Sequence, residues 1–375
     1  MEPLLDKIKQ NLPDYKPHEL NNLLLLSLCI LQVGSVNLYK LRGHVGRILG
    51  ADIQASSGYK RLIRIFDGHA YSRLWLDLLL YGFRLLRLKS DYLLLDGTSW
   101  ERRGVERHYL TLSILYQGVA IPIYWVDLCR LGISSERERK KIFRRIFKLY
   151  DLCGKTLIAD REYIGKEWFK YLQNQGLDFI IRLRKNSYRK AINACKGKSW
   201  EEMERKVLHS KLPNKALKKR VIIEGLEYNF IVVKNPDPNA KDKVVYLLST
   251  LNAAAVFIAG QYLLRWGIEC CFRHLKSNGF QLEEINLKGK ARSKLLMAVV
   301  VFAYVLSIHE GLKKYKSVRL IRKANGSMVK AESVFRNGWD NLMAKIPTFE
   351  HFVQYVVDNI NEAASKYRSQ IWLRV

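Results

Sequence analysis

Residues 91–128 decide the fold, and they read DYLLLDGTSWERRGVERHYLTLSILYQGVAIPIYWVDL. Three strand-like apolar runs follow one another here, at 91–104, 106–118 and 119–128, and Gly104 and Gly118 stand at the turns between them. Runs of this kind joined by Gly-bearing turns are typical of consecutive antiparallel strands. We therefore expect a three-stranded meander.

The segment that follows alternates helices and strands. Ser135 and Glu138 have capping-box spacing at the start of a helix, whose predicted buried stripe is Ile142, Phe143, Ile146 and Phe147. Next come TLIAD (156–160), a helix over 163–176 and DFIIRLRK (178–185). A β-α-β unit pairs its strands in parallel, so the expected fold class is α/β, with a mixed five-stranded sheet and flanking helices.

The regions outside this core differ in pattern. The first 88 residues are helical with Gly and Ser turns, which suits a small DNA-binding module or, equally, a simple helical cap. After the core, a basic β-rich insertion contains a hairpin around Gly225. The predicted domains are a helical DNA-binding module (1–88), the first part of the core (89–186), the basic insertion (187–251), the second part of the core (252–310) and a C-terminal helical region (311–375).

The charge balance predicts a polyanionic partner. The chain has 375 residues, 64 Lys and Arg against 35 Asp and Glu, a net charge of +29 and a pI near 9.8. The stretch 182–220 alone holds 14 Lys and Arg against three Glu. Nucleic acid is the leading candidate. An anionic membrane is the main alternative, but no lipidation signal or amphipathic basic terminus supports it.

Composition also bears on compartment and membrane association. The six cysteines show no C-x₂-C spacing, so we expect no zinc site. We also expect the protein to be located in the reducing cytoplasm. MEPLLDKIKQ at the start is not a signal peptide. The longest apolar run, residues 295–308, is shorter than the ~20 residues that a bilayer span needs, and we expect a buried helix there.

Two aspartates stand where apolar strand-like runs end. Asp96 closes LLLDG and Asp160 closes LIADRE, and the carboxyl ends of strands are where ligands tend to bind in α/β sheets. A turn-forming Asp is the plain alternative for each.

A third carboxylate lies in YLLRWGIECCFRHLK, residues 262–276. In one continuous helix, Tyr262, Arg265, Glu269 and Lys276 fall within an arc of roughly 60°. The plain reading is a surface helix with an i,i+4 ion pair between Arg265 and Glu269, which contributes about 0.2–0.5 kcal/mol. If the three carboxylates meet, their mutual repulsion favours a hard cation, Mg²⁺ or Mn²⁺, among them.

These motifs carry a family resemblance. LLLDGTSW, LIADREY and the pattern Tyr-x₂-Arg-x₃-Glu-x₆-Lys resemble the DDE transposases of the insertion-sequence four superfamily, over about residues 91–308. The intervals of 64 residues (160 − 96) and 109 residues (269 − 160) suit that family, including a β insertion in the second interval.

The resemblance implies a ribonuclease-H-like fold and a site. Asp96, Asp160 and Glu269 would be catalytic and would bind two Mg²⁺ or Mn²⁺ ions, and Tyr262, Arg265 and Lys276 would hold the DNA strand. The implied reaction is hydrolysis at the ends of a mobile element, followed by attack of the freed 3′-OH on target DNA.

The implied partners are double-stranded DNA, comprising the terminal inverted repeats and the target, and a second copy of the chain in a homodimer on DNA. No membrane is expected, and the location is the cytoplasm of a prokaryote, at the nucleoid. Two alternatives stay open: a ribonuclease-H-like nuclease such as a junction resolvase, and a transposase-derived DNA-binding protein without catalysis.

Five further residues allow weaker predictions. Trp200 is expected to pack in the core rather than stack on a displaced base. Arg161 and Glu162 either support the site or form surface pairs. His108 and His274 are expected to be structural or to face phosphates, since bound metals would make a histidine base unnecessary.

Overall fold

The predicted meander is present in the computed structural model, which describes residues 1–366 except Arg87, Arg103, Cys129, Pro236, Pro238, Ala324 and Asn325. The last nine residues, which the sequence placed in a closing helix, lie outside the described part. The meander strands are β1 (Tyr92–Arg102), β2 (Val105–Tyr116) and β3 (Val119–Asp127). The later strands are β4 (Thr156–Ala159), β5 (Asp178–Arg182), β6 (Ala216–Ile223), β7 (Leu226–Lys234) and β8 (Val244–Ser249).

One mixed sheet contains all eight strands, in the order β3-β2-β1-β4-β5-β8-β7-β6. β4 pairs in parallel with both β1 and β5, which confirms the predicted β-α-β unit. The expected five-stranded sheet is present as β3-β2-β1-β4-β5. The insertion continues it, because β8 pairs antiparallel with β5, and β7 and β6 follow.

The helices of the central region are α7 (Glu136–Leu149), α8 (Lys166–Asn174), α9 (Arg189–Ala194), α10 (Trp200–Leu208), α11 (Ala255–Leu263) and α12 (Trp266–Leu275). Ser135 caps α7, and the Glu138 side chain accepts a hydrogen bond from the Ser135 N–H at 2.7 Å, so the predicted capping box is confirmed. All four residues of the predicted stripe on α7 are buried. Local sequence signals were sufficient to predict the start and the buried face of this helix.

The chain divides into two compact units. Among the described residues, the sheet unit contains residues 90–99 and 108–270, and the helical unit contains residues 1–89, 100–107 and 271–366. The helical unit includes α1 (Glu2–Lys9), α2 (Pro17–Val33), α3 (Leu38–Leu41), α4 (Val45–Leu49), α5 (Ala55–His69), α6 (Leu74–Phe83), α13 (Lys290–Lys314), α14 (Val334–Lys345) and α15 (Phe349–Lys366). It also has a small hairpin that the sequence did not indicate, β9 (Leu320–Arg322) and β10 (Met328–Lys330).

Helix α13 is the core of the helical unit and packs against α2, α6 and α14. Its apolar residues surround the helix, which is the pattern of a fully buried helix. By length and composition Lys290–Ser317 could cross a bilayer, with mean hydropathy 2.0 in its most apolar window, but 89% of that window is buried inside the protein. The expected buried helix at 295–308 is therefore present within α13.

Two glycines let α13 and α14 approach closely. A Cβ added at Gly338 would lie 1.8 Å from the Ser307 carbonyl oxygen and 2.5 Å from the Gly311 nitrogen. A Cβ at Gly311 would lie 2.0 Å from the Val334 carbonyl oxygen. No side chain fits at either position, so the crossing of these helices depends on glycine.

Candidate active site

Asp96 lies within β1 rather than at its end, so the expectation that the strand stops there was wrong. β1 continues to Arg102 because it remains beside β2 after its other neighbour, β4, has ended at Ala159. Gly97 is correspondingly a strand residue and not a turn residue. A Cβ there would lie 2.7 Å from the His108 ring, which explains why glycine follows Asp96.

Asp160 directly follows the end of β4, next to the part of β1 that contains Asp96. Leu95 and Ala159 are register partners in the parallel pair β1–β4, and each aspartate is the next residue in its chain. Adjacent strands are about 4.8 Å apart, so the sheet register brings these two residues near one another.

The environment of Asp96 disfavours its charged form. Asp96 is 8% exposed, and burial raises the pKa of its carboxyl group to about 7, with Arg265 and the Gly97 N–H opposing the shift. The nearby acids Glu162 and Asp160 raise this pKa further. Such a crowded set of acids requires a positive charge nearby.

Arg265 supplies that positive charge. Its Nη1 donates to Asp96 Oδ2 at 3.1 Å, and its Nη2 donates to Glu269 Oε1. The Arg265 side chain is 16% exposed, and burial disfavours its charge, but Tyr262 and the acids Asp160, Asp96 and Glu269 together raise its pKa above the ordinary value. One cation is thus shared by two of the three predicted catalytic acids.

Tyr262 contacts the third acid. Its hydroxyl donates to Asp160 Oδ1 at 3.3 Å, and the tyrosine is 8% exposed. Burial and the nearby Asp160 charge raise the pKa of Tyr262, so the phenol stays protonated and serves as a donor. Tyr262, Arg265 and the three acids therefore form one network of contacts and charges within the sheet unit.

The helix carrying these residues is not continuous, so the prediction of a single helical face was wrong. α11 ends at Leu263 and α12 begins at Trp266, with Arg265 between them. The amide of Arg265 bonds the Tyr262 carbonyl, and the amide of Ile268 bonds the Arg265 carbonyl. These i→i−3 bonds form a tighter turn than an α-helix allows. The turn directs Arg265 to both acids. The i,i+4 pair with Glu269 is nevertheless present.

Lys276 belongs to the helical unit. Its Nζ pairs with Glu283 at 2.8 Å and lies 5.5 Å from the centre of the Trp100 ring. Its predicted contact with DNA stays a prediction, as do the DNA contacts of Tyr262 and Arg265.

The weaker predictions can be compared with side-chain surroundings. Trp200 is 1% exposed and packs on Phe230 and Tyr246, so the packing interpretation is supported. Arg161 forms a surface pair with Asp242 at 3.5 Å. Glu162 belongs with the acids, since burial first and then Asp160 raise its pKa, while the Tyr163 hydroxyl opposes this shift.

Of the two histidines, His108 is buried and His274 is half-buried. His108 is 6% exposed, and its Nδ1 lies 2.5 Å from the Ser99 hydroxyl. His274 stacks on Phe335 with ring centres 4.6 Å apart, and burial, together with nearby arginines, lowers its pKa to about 4. These surroundings indicate structural roles.

The three acids are the type of ligand that a hard cation prefers, but in this structure they interact with Arg265. Carboxylate oxygens are the ligands that Mg²⁺ and Mn²⁺ prefer, and Asp96, Asp160 and Glu269 all interact with one guanidinium. Within the described residues, no group of three or more His, Cys, Asp or Glu side chains is placed so that it could hold a metal ion. In this arrangement a metal ion would compete with Arg265 for the same oxygens.

A cavity of about 380 Å³ opens beside this network. Its lining includes Arg182, Val245, Tyr262, Arg265 and Trp266. Trp266 is 56% exposed, so an aromatic face and two guanidinium groups border the space next to the acids. Sequence patterns did not indicate this cavity, because its walls come from several separate elements, including β5, β7, β8, α11 and α12.

Comparisons with known proteins agree with the motif resemblance. The family described as "Transposase DDE domain" matches residues 88–306, more than half of the chain. No curated protein shows significant similarity to the chain. Among solved structures, the chain is similar to a piggyBac transposase in a cryo-EM structure of its synaptic complex with hairpin DNA. The identity is 12%, the TM-score is 0.47, and the similarity covers 92% of this chain and 76% of the other.

Proposed function

The chain belongs to the transposase DDE domain family, and from that membership we propose that it cuts DNA at insertion-sequence ends and joins them to target DNA. The proposed route is cut-and-paste: hydrolysis frees a 3′-OH, which then attacks a target phosphodiester by direct transesterification. The new P–O bond forms as the target 3′ oxygen leaves, so no covalent protein intermediate is required.

The clustering of the family motifs' acids carries the proposal. Asp96 and Asp160 each follow one residue of the register pair Leu95–Ala159, and Asp96 and Glu269 share Arg265. Residues 173 positions apart in sequence (269 − 96) thereby belong to one network. Surface charge pairing alone does not require this convergence.

In the proposed mechanism, Asp96, Asp160 and Glu269 would hold Mg²⁺ or Mn²⁺, with two ions as in the family resemblance. When bound, such ions supply an activated water or hydroxyl nucleophile and stabilise the leaving oxygen of an in-line displacement. Arg265 releases the carboxylates and turns to a DNA phosphate, to which a guanidinium can donate two hydrogen bonds. Tyr262 keeps Asp160 oriented through its hydroxyl.

The proposed partners follow from the reaction. The protein binds double-stranded DNA at terminal inverted repeats and at the target site, and two copies act together on the paired ends. Lys276 contacts a phosphate as a point charge. The activity belongs in the cytoplasm of a prokaryotic cell, at the nucleoid, and needs no membrane.

A cleavage and joining assay tests the proposal. The full chain is incubated with Mg²⁺, DNA carrying the inverted repeats that flank its gene, and a target plasmid, and both cut and joined products are measured. We expect both products. Cleavage without joining favours the nuclease alternative, and binding without cleavage favours a DNA-binding protein derived from a transposase.

Glu269→Gln tests the acid directly. Losing several kcal/mol of transition-state stabilisation at a metal site corresponds to roughly a 10³-fold slower reaction, so we expect cleavage to fall at least that far while DNA binding persists. Glu167→Gln, an acid with 57% side-chain exposure in the same unit, is the control and should cleave normally. A Glu269→Gln variant that cuts at the wild-type rate refutes the role of Glu269.

A further inference from the structure

A second concave surface lies at the outer edge of the sheet, along strand β6. The groove has a volume of about 730 Å³ and runs between the loop 194–198 and residues 217–222 of β6. Strands β5, β8 and β7 separate β6 from β4, the strand that precedes Asp160. The groove is therefore distinct from the candidate active site.

Three free cations line this groove. Lys196, Lys198 and Arg220 are exposed, and none pairs with a carboxylate in the described part of the chain. Lys219 is 7% exposed, and its Nζ donates to the Ile192 and Lys198 carbonyl oxygens at 2.8 and 2.9 Å. This buried lysine fixes the loop to the strand, so the groove is held in shape.

The edge of β6 adds backbone donors. β6 pairs with β7 on one side only, and on the other side the Ile222 N–H donates to Cys195 Sγ at 3.3 Å. In an antiparallel strand the N–H groups point to the two sides in alternation. The amides of Arg220 and Lys218, two and four residues before Ile222, therefore point towards the groove.

Charge and donor type together indicate the ligand. Among the groove's lining residues Glu227 is the single acid, and most of the lining belongs to the stretch 182–220, which holds 14 Lys and Arg. Phosphate oxygens in DNA are bound by lysine, arginine and backbone N–H groups of this kind. The sequence-independent part of such binding is electrostatic.

We propose that this groove binds the phosphate backbone of double-stranded DNA, as a contact additional to the strand being cut. The inference rests on the proposed function, which supplies the DNA, but it concerns a surface with no part in the chemistry. It predicts that the groove contributes to binding whatever the DNA sequence.

The test removes three charges from the groove. The variant Lys196→Gln, Lys198→Gln, Arg220→Gln is titrated with a fluorescently labelled duplex by anisotropy at several salt concentrations. The slope of log K against log salt is negative, and each lost phosphate contact reduces its magnitude by about 0.9. We therefore expect the slope of the variant to be less steep by roughly 2 to 3. Binding should weaken to similar extents for repeat-containing and random duplexes.

The matched control removes three charges from α7 in the same unit. Lys141, Arg144 and Lys148 are exposed, and changing them to Gln gives the same loss of net charge. An unchanged slope in the groove variant, or an equal loss in the control, overturns the proposal. If wild-type protein does not cleave DNA but the groove variant still loses slope, the proposed reaction fails and the groove proposal stands. Thermal melting verifies that both variants are folded.

Discussion

At the scale of single residues, Arg265 joins two of the acids and, in the proposed mechanism, would link them to the substrate. It pairs with Asp96 and with Glu269, and in the proposed mechanism it also contacts DNA phosphate. A guanidinium has five N–H donors, which are too few to donate two hydrogen bonds to each of two carboxylates and a phosphate. DNA binding should therefore favour the release of the acids, and the two events become linked through one side chain.

Arg265→Gln should make the protein's stability depend on divalent ions. Removing one partner of a buried ion pair costs about 3 kcal/mol, so the variant should melt at a lower temperature than wild type in EDTA. Millimolar Mn²⁺ should raise the melting temperature of the variant more than that of wild type, because it replaces the missing positive charge. Differential scanning calorimetry measures both shifts.

Arg161→Gln is the matched control for this comparison, since Arg161 pairs with an acid, Asp242, at the surface. It should melt like wild type with and without Mn²⁺, because exposed pairs contribute little. Equal Mn²⁺ shifts in wild type and Arg265→Gln contradict the proposed role of Arg265.

The sequence singled out the residues of this network but not the contacts among them. Fixed spacing in the late motif singled out Tyr262, Arg265 and Glu269, and the two aspartates followed from their apolar flanks. The pairing of Arg265 with Asp96 depends on the strand register and on the turn between α11 and α12. Both arise from tertiary packing, which local patterns do not encode.

At the scale of elements, the crossing of α13 and α14 limits what the helical unit tolerates. Glycine inside a helix normally lowers its stability by about 1 kcal/mol relative to alanine. Gly311 and Gly338 offset that loss, because their backbones pack where a side chain would overlap carbonyl oxygens. From sequence alone both residues are helix-weakening, and the close approach explains their presence.

Gly338→Ala should destabilise the protein strongly, by about 3 kcal/mol or more, since overpacking against rigid backbone cannot be relieved by a rotamer change. Urea unfolding monitored by tryptophan fluorescence measures this loss. Gly68→Ala is the control, because Gly68 lies in the exposed part of α5 with open space around it. That change should be neutral or stabilising by up to about 1 kcal/mol, and similar losses at the two positions would contradict the packing argument.

Elements with local signals were the predictable ones. The Ser135 capping box and the turn at Gly225, where Glu224 and Gly225 both have positive φ, mark α7 and the β6–β7 hairpin correctly. The joining of β8 to β5 was not predictable, since it pairs residues about 67 positions apart. The sequence therefore indicated the insertion's strands but not the sheet they complete.

At the scale of the whole molecule, acid stability depends on a buried charge in the helical unit. The Glu310 side chain is 1% exposed and accepts hydrogen bonds from Lys313, Lys345 and Tyr355 at 2.6, 2.5 and 2.8 Å. Burial raises the pKa of Glu310, but these three donors outweigh it and lower the pKa to about 2. The network ties α13 to α14 and α15.

Glu310→Gln should reveal this contribution as a pH-dependent difference. Because the folded pKa lies below the unfolded value of about 4.3, the stabilisation is complete above that value and is lost as the pH falls towards 2. The shift corresponds to about 3 kcal/mol at neutral pH. Urea unfolding of wild type and variant should show a gap of this size at pH 7 that narrows on acidification.

Glu167→Gln serves as the exposed control and should show no such gap. A difference between wild type and Glu310→Gln that stays constant down to pH 2 would mean that the Glu310 charge does not stabilise the fold.

The pairing of β8 with β5 restricts how this protein could be shortened. Deleting the segment between β5 and α11 would remove β8, the neighbour of the buried strand β5. The backbone amides and carbonyls on that side of β5 would then be free to pair with a strand of another molecule. We expect a protein shortened in this way to aggregate through the exposed edge of β5, unless β8 is kept or a charged residue is introduced at that edge. Truncation should begin elsewhere.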